Sequence, residues 1–200
     1  MKNLLFLGLS LAILGVGGYT GYAEQQENID YSQITTENII LDNGIEITSI
    51  EIPNEYVDAW KEENNWNDNI TEEYVTDTLR SIDSPEGITP YGPTIPLSSW
   101  DISSKGKASI NGSFSNGHIL YSNYNYYGYT KYKFELKNTG ASAFKYQFKE
   151  LWNTYYSSSL ASGKTTLTTF STPNKSYSFY LRVEPSSTGR GSLSGYINKG

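Results

Sequence analysis

Cysteine is absent from the 200 residues, histidine occurs once (His118), and the one methionine is Met1. Without cysteine there is no disulfide, no thiolate nucleophile, no cysteine-ligated zinc and no lipidated N-terminal cysteine. A lone imidazole needs a nucleophile and an orienting acid before it can do acyl chemistry. Asp101 is the only aspartate after residue 96, so that constellation is thin and His118 reads as a turn residue. HExxH, GxSxG, P-loop, EF-hand and GxGxxG patterns are missing as well. No catalytic residue, metal site or cofactor is expected. LPxTG and a hydrophobic C-terminal tail are also lacking, so covalent wall anchoring by the usual route is not expected.

Tyrosine is plentiful, with 18 residues against 7 Phe and 4 Trp. It suits half-buried β surfaces, where the ring packs and the hydroxyl stays wet. Lys2 followed by the apolar run Leu4–Val16 and by Gly21-Tyr22-Ala23 has the form of an export signal. Cleavage is expected between Ala23 and Glu24. The run is short for a membrane span. The expected location is extracellular, on a bacterium of Gram-positive type, with the mature protein either released or held by non-covalent contact.

Charge divides the chain. Residues 24–95 carry 17 acids against Lys61 and Arg80, a balance of −15. Residues 96–200 carry 12 bases against Asp101, Glu135, Glu150 and Glu184, a balance of +8. Pro85, Pro90, Pro93 and Pro96 mark the border, and proline runs of this kind read as linkers. Four parts are expected: signal peptide 1–23, an acidic and partly helical segment 24–89, a Pro-rich linker 90–96, and a basic domain 97–200. Within the acidic segment, Tyr56, Val57 and Trp60 fall at helical spacing. Thr71 followed by Glu72 and Glu73 reads as a helix start. IILDNGIEITSIEI reads as a hairpin about Asp42-Asn43-Gly44. The segment is either an acidic spacer or a pro-region that pairs in cis with the basic half.

From Leu97 the period is two. Ala108, Ile110, Gly112 and Phe114 alternate with polar residues, as do Tyr132, Phe134 and Leu136, and again Phe144, Tyr146 and Phe148. Such alternation is the mark of half-buried antiparallel strands. Asn138-Thr139-Gly140 is a turn signal. Gly195 is a candidate bulge. The expected fold is all-β, an antiparallel β-sandwich of seven or eight strands, Ig-like or jelly-roll-like, with a closed barrel as the alternative.

The stretches KFELKNTGASAFKYQF, ASGKTTLTTF and SYSFYLRVEPSSTGRGSLSGYI resemble the strand–turn pattern of small Ig-like β-sandwich domains of secreted bacterial proteins. The ending is similar to pre-peptidase C-terminal-type domains. The resemblance spans roughly residues 130–197 and implies a domain that binds or spaces.

YSNYNYYGYT (residues 121–130) then divides by parity. Tyr124 and Tyr126 belong with the core, and Tyr127 and Tyr129 face outward beside Lys131 and Lys133, unless a bulge at Gly128 exchanges the faces. If the NTG turn closes a hairpin, Lys145 and Lys149 join the same face. Two tyrosines and four lysines on one face would attract an anionic cell-wall polymer, a glycan or a membrane surface. Nucleic acid is not an expected partner for an exported chain. The competing expectations are a structural or adhesive module that self-associates and, furthest from the residues, a secreted hydrolase.

Overall fold

The computed structural model describes residues 29–66, 73–81, 96–115, 117–186 and 190–200. In chain order these form β1 (Thr35–Ile40), β2 (Glu46–Pro53), α1 (Val57–Glu63), β3 (Glu73–Thr78), β4 (Arg80–Ser81) and β5 (Ser98–Asp101). After them come α2 (Ile102–Lys105), β6 (Lys107–Phe114), β7 (Leu120–Tyr121), β8 (Tyr124–Tyr127), β9 (Lys131–Asn138) and β10 (Phe144–Glu150). The chain ends with β11 (Asn153–Leu160), β12 (Lys164–Ser171), β13 (Tyr180–Pro185) and β14 (Gly191–Lys199). The fold is mostly β. One sheet has seven strands in the order β1-β2-β12-β9-β14-β6-β3, and another has five in the order β11-β10-β13-β7-β4. Pairing is antiparallel except β3 with β6 and β5 with β8.

The alternation dictates which side of each strand is apolar, and those sides meet between the sheets. Phe134 of β9 stacks on Phe148 of β10 with centroids 4.2 Å apart. Phe114 of β6 meets Phe144 of β10 edge-on at 6.0 Å. Phe179, fully buried, lies within 4.8–6.1 Å of the rings of Tyr126, Tyr132, Phe134, Phe148 and Phe170. Each such pair adds to the area term, since offset and edge-on ring contacts are favourable in themselves.

The acidic segment is part of this architecture. β1 and β2 form the expected hairpin, and β2 pairs along its full length with β12, so residues 35–53 extend the seven-stranded sheet. Ile45 and Ile47 enter the inter-sheet core. α1 covers the other side of the same sheet, where Val57 and Trp60 pack on Ile52 and Leu167. Its burial of Val57 and Trp60 follows the helical spacing read from the sequence.

Three local expectations are corrected. The helix expected from Thr71 is absent from the described part of TEEYVTDTLRSI: Glu73–Thr78 is a strand paired with the edge of β6. Thr, Val and Tyr in this stretch favour extended backbone, and an available sheet edge outweighs weak helix signals. Gly195 is not a bulge, because β14 keeps unbroken register with both β6 and β9. A Cβ there would overlap the Glu135 carbonyl oxygen, so glycine allows close backbone approach. The NTG turn does not close a hairpin: β9 lies in the seven-stranded sheet and β10 in the five-stranded one. Buried Asn138 bridges the sheets, its Nδ2 donating to the carbonyls of Ser142 (3.0 Å) and Leu160 (3.1 Å).

Candidate binding surface

The arch at residues 138–140 splits the expected tyrosine–lysine face. Lys131 and Lys133 project from the outer side of the seven-stranded sheet, Lys145 and Lys149 from the outer side of the five-stranded sheet. Parity survives Gly128, since Tyr126 and Tyr132 are both fully buried. Tyr127 is on the surface. Tyr129 is partly buried: its ring packs against the core, and its backbone is pinned by Tyr132. The Tyr129 N–H donates to the Tyr132 hydroxyl (2.9 Å), which donates to the Tyr129 carbonyl (2.8 Å). Burial raises the Tyr132 phenol above its ordinary range. Lys133 lies 5.0 Å over the Trp66 ring, so the acidic segment shields it. Ala23 and Glu24 lie outside the described residues.

Other contacts tie the acidic segment to the basic half. Trp66 Nε1 donates to the Tyr196 hydroxyl (3.2 Å), and Lys61 pairs with Glu135. In that ion pair the acidic segment supplies the cation and the basic half the acid.

The outer side of the five-stranded sheet carries residues that the strand pattern alone did not join. Register places Gln147 opposite Arg182, and Arg182 opposite Tyr121. Arg182 Nη1 donates to Gln147 Oε1 (2.6 Å) and Glu184 Oε2 (2.8 Å). Lys149 donates to Thr154 Oγ1 (2.8 Å). Burial pushes the Lys149 ammonium below the ordinary lysine range, and the charges of Arg182 and Lys145 push it further. Only the β10–β13 register brings Arg182 beside the lysines.

A second feature lies at the sheet edge. Glu37, Ser49 and Glu51 from the hairpin face Tyr146, Tyr156 and Ser158 across an open cleft of about 100 Å³. Tyr156 donates to Glu37 Oε2 (2.9 Å). Ser49 Oγ shares hydrogen bonds with Thr166 (2.9 Å), Thr168 (3.0 Å) and Tyr146 (3.3 Å). Burial raises the Glu51 carboxyl, with Lys164 opposing it. Burial also raises the Tyr156 phenol strongly, and the nearby Tyr146 adds to it.

His118 is partly buried just after β6. Asp101 is committed elsewhere: it caps α2, its Oδ1 accepting from the Ser103 N–H (2.9 Å) and hydroxyl (2.7 Å). Among the described residues no three histidine, aspartate or glutamate side chains gather as a metal site. No family model, curated protein or solved structure matches this chain.

Proposed function

We propose that this chain is an exported, non-catalytic β-sandwich module that binds anionic polymers of a bacterial cell envelope. The observation that carries the reading is the row of Lys145, Lys149 and Arg182 on one outer sheet surface. Lys145 and Lys149 stand four residues apart on β10, roughly 13 Å, and Arg182 lies opposite the Gln147 between them, so the row offers cations at intervals suited to repeated phosphates or carboxylates. Burial is the main cause that lowers the Lys149 ammonium, and a bound anion would offset the smaller contribution from the charges of Arg182 and Lys145.

The test is binding to polyglycerol phosphate at rising salt. The wild type is expected to bind at low ionic strength and to release as the screening length shortens. The double variant Lys145→Gln, Lys149→Gln is expected to bind about tenfold more weakly, a loss of roughly 1.4 kcal/mol. Equal binding by the two proteins, or binding indifferent to salt, would refute the reading.

The Glu37–Glu51 cleft favours a second reading, hydrolysis. A raised carboxyl beside another carboxylate is the combination acid–base cleavage of glycans uses. Glycan turnover that disappears in Glu51→Gln would establish it in place of simple binding.

A further inference from the structure

Six large apolar side chains are exposed among the described residues, and four of them lie at one end of the molecule. Ile40 is 77% exposed, Trp152 76%, Leu151 53% and Tyr127 36%. Register fixes the common end. Ile40 is opposite Glu46, Glu46 opposite Ser171, and Ser171 opposite Lys131, the first residue of β9, which a three-residue connection joins to Tyr127 at the end of β8. The β10–β11 turn holds Leu151 and Trp152. It reaches the same end, because Tyr155, just beyond the turn, sits 5.9 Å from Phe170, the neighbour of Ser171.

The turn is built at a local cost. Glu150 pairs with Asn153, leaving Leu151 and Trp152 as a two-residue loop, and Leu151 adopts φ +47. Hairpin loops of this length ordinarily place Gly or Asn at such a position, since a Cβ is disfavoured there by about 1 kcal/mol. Here a leucine occupies it while gaining little burial. Tyr180 holds the turn in place by donating to the Leu151 carbonyl (3.2 Å). A fixed, strained turn that displays Leu and Trp to solvent calls for a partner outside the fold.

We infer that this end of the molecule inserts into the interfacial region of a lipid bilayer. Ile40 ends β1, Tyr127 ends β8 and Leu151 and Trp152 form the β10–β11 turn, so the apolar groups come from three separate elements and suit a deformable surface better than a sugar or a peptide. Trp and Tyr are the side chains that favour the headgroup boundary. Exposed Lys131 and Lys175 lie at this end, as do exposed Asp42 and Glu46, so charge is mixed and the apolar term dominates. Insertion is therefore expected on zwitterionic as well as anionic vesicles and to persist at high salt. That separates it from polymer binding by the lysine row, which salt abolishes.

The test is carried out on the full chain, with a readout local to one indole because the apolar run Leu4–Val16 can itself partition. The emission difference between wild type and Trp152→Phe isolates Trp152. Addition of phosphatidylcholine vesicles is expected to shift this difference spectrum to shorter wavelength. Brominated lipid is expected to quench it, in 50 mM and in 500 mM salt alike. Leu151→Gly relieves the strained turn. It is expected to be more stable than wild type yet to lose the Trp152 quenching. Three results would overturn the inference: no quenching in the wild type, full quenching in Leu151→Gly, or a Trp152 emission already blue before lipid is added. The last would mean that a segment of this chain or a second copy covers the turn. Quenching that persists while polyglycerol phosphate binding fails would uphold this inference and discard the polymer reading, and the converse result would do the opposite.

Discussion

Phe179 shows how much one residue can organise. It touches five aromatic rings from both sheets, and its backbone bridges Tyr126 through paired hydrogen bonds of 2.8 and 3.1 Å. Truncation there leaves a cavity that rigid neighbouring strands cannot close. Phe179→Ala is expected to cost about 3–5 kcal/mol, read by urea denaturation, and a loss under 1 kcal/mol would show that the core collapses around the gap. Glu51 gives a pH signature. Its carboxyl is raised in the folded state by burial, so the folded protein holds that proton more tightly than the unfolded chain does. Its contribution is then most favourable at low pH and falls away as pH climbs from the ordinary glutamate range through the raised value. Glu51→Gln is expected to flatten that decline. Solvent at this half-exposed site keeps the gain at neutral pH on the order of 0.5 kcal/mol. Identical stability–pH profiles for the two proteins would remove Glu51 from the account.

Among the elements, the acidic segment is the most instructive. β2 hydrogen-bonds to β12, and α1 buries Leu167 on the outer side of the seven-stranded sheet. Its attachment is thus mainly backbone pairing and apolar packing, although the charge division of the sequence pointed to salt bridges. A cut in residues 82–95 is expected to leave the two fragments associated. Limited proteolysis followed by gel filtration checks this. Fragments that separate without denaturant would show that the segment is releasable, as a pro-region must be. Conversely, a chain beginning at Leu97 would expose Leu167 and the β12 edge, and is expected to aggregate.

For the molecule as a whole, the two proposed surfaces adjoin at β10, with the cation row on the sheet and the Leu151–Trp152 turn at its end. On the proposed reading, a molecule seated on lipid by that turn would hold the lysine row upright, within reach of polymers rooted in the same envelope. Salt then distinguishes the two attachments: the row releases and the turn remains.

The sequence by itself determined the strand faces. Alternation placed Tyr126, Tyr132, Phe134, Phe144, Tyr146 and Phe148 inside, because one side of a half-buried strand must be apolar wherever its partners lie. It also marked the β1–β2 turn and the buried side of α1, since both depend on local backbone preference and spacing. β11 was illegible, because YYSSSL buries adjacent Tyr155 and Tyr156 about a register shift and so breaks the period of two. Tertiary structure alone decided which strands are neighbours. Parity says which way a side chain points but not in which sheet its strand lies. The 138–140 arch therefore divided four lysines that looked continuous in the sequence, and the β10–β13 register set Arg182 beside two of them. The exposed end was hidden for the same reason: Ile40, Tyr127 and Trp152 are far apart along the chain, and only the pairing of β1, β9 and β12 and the aromatic core brings them together.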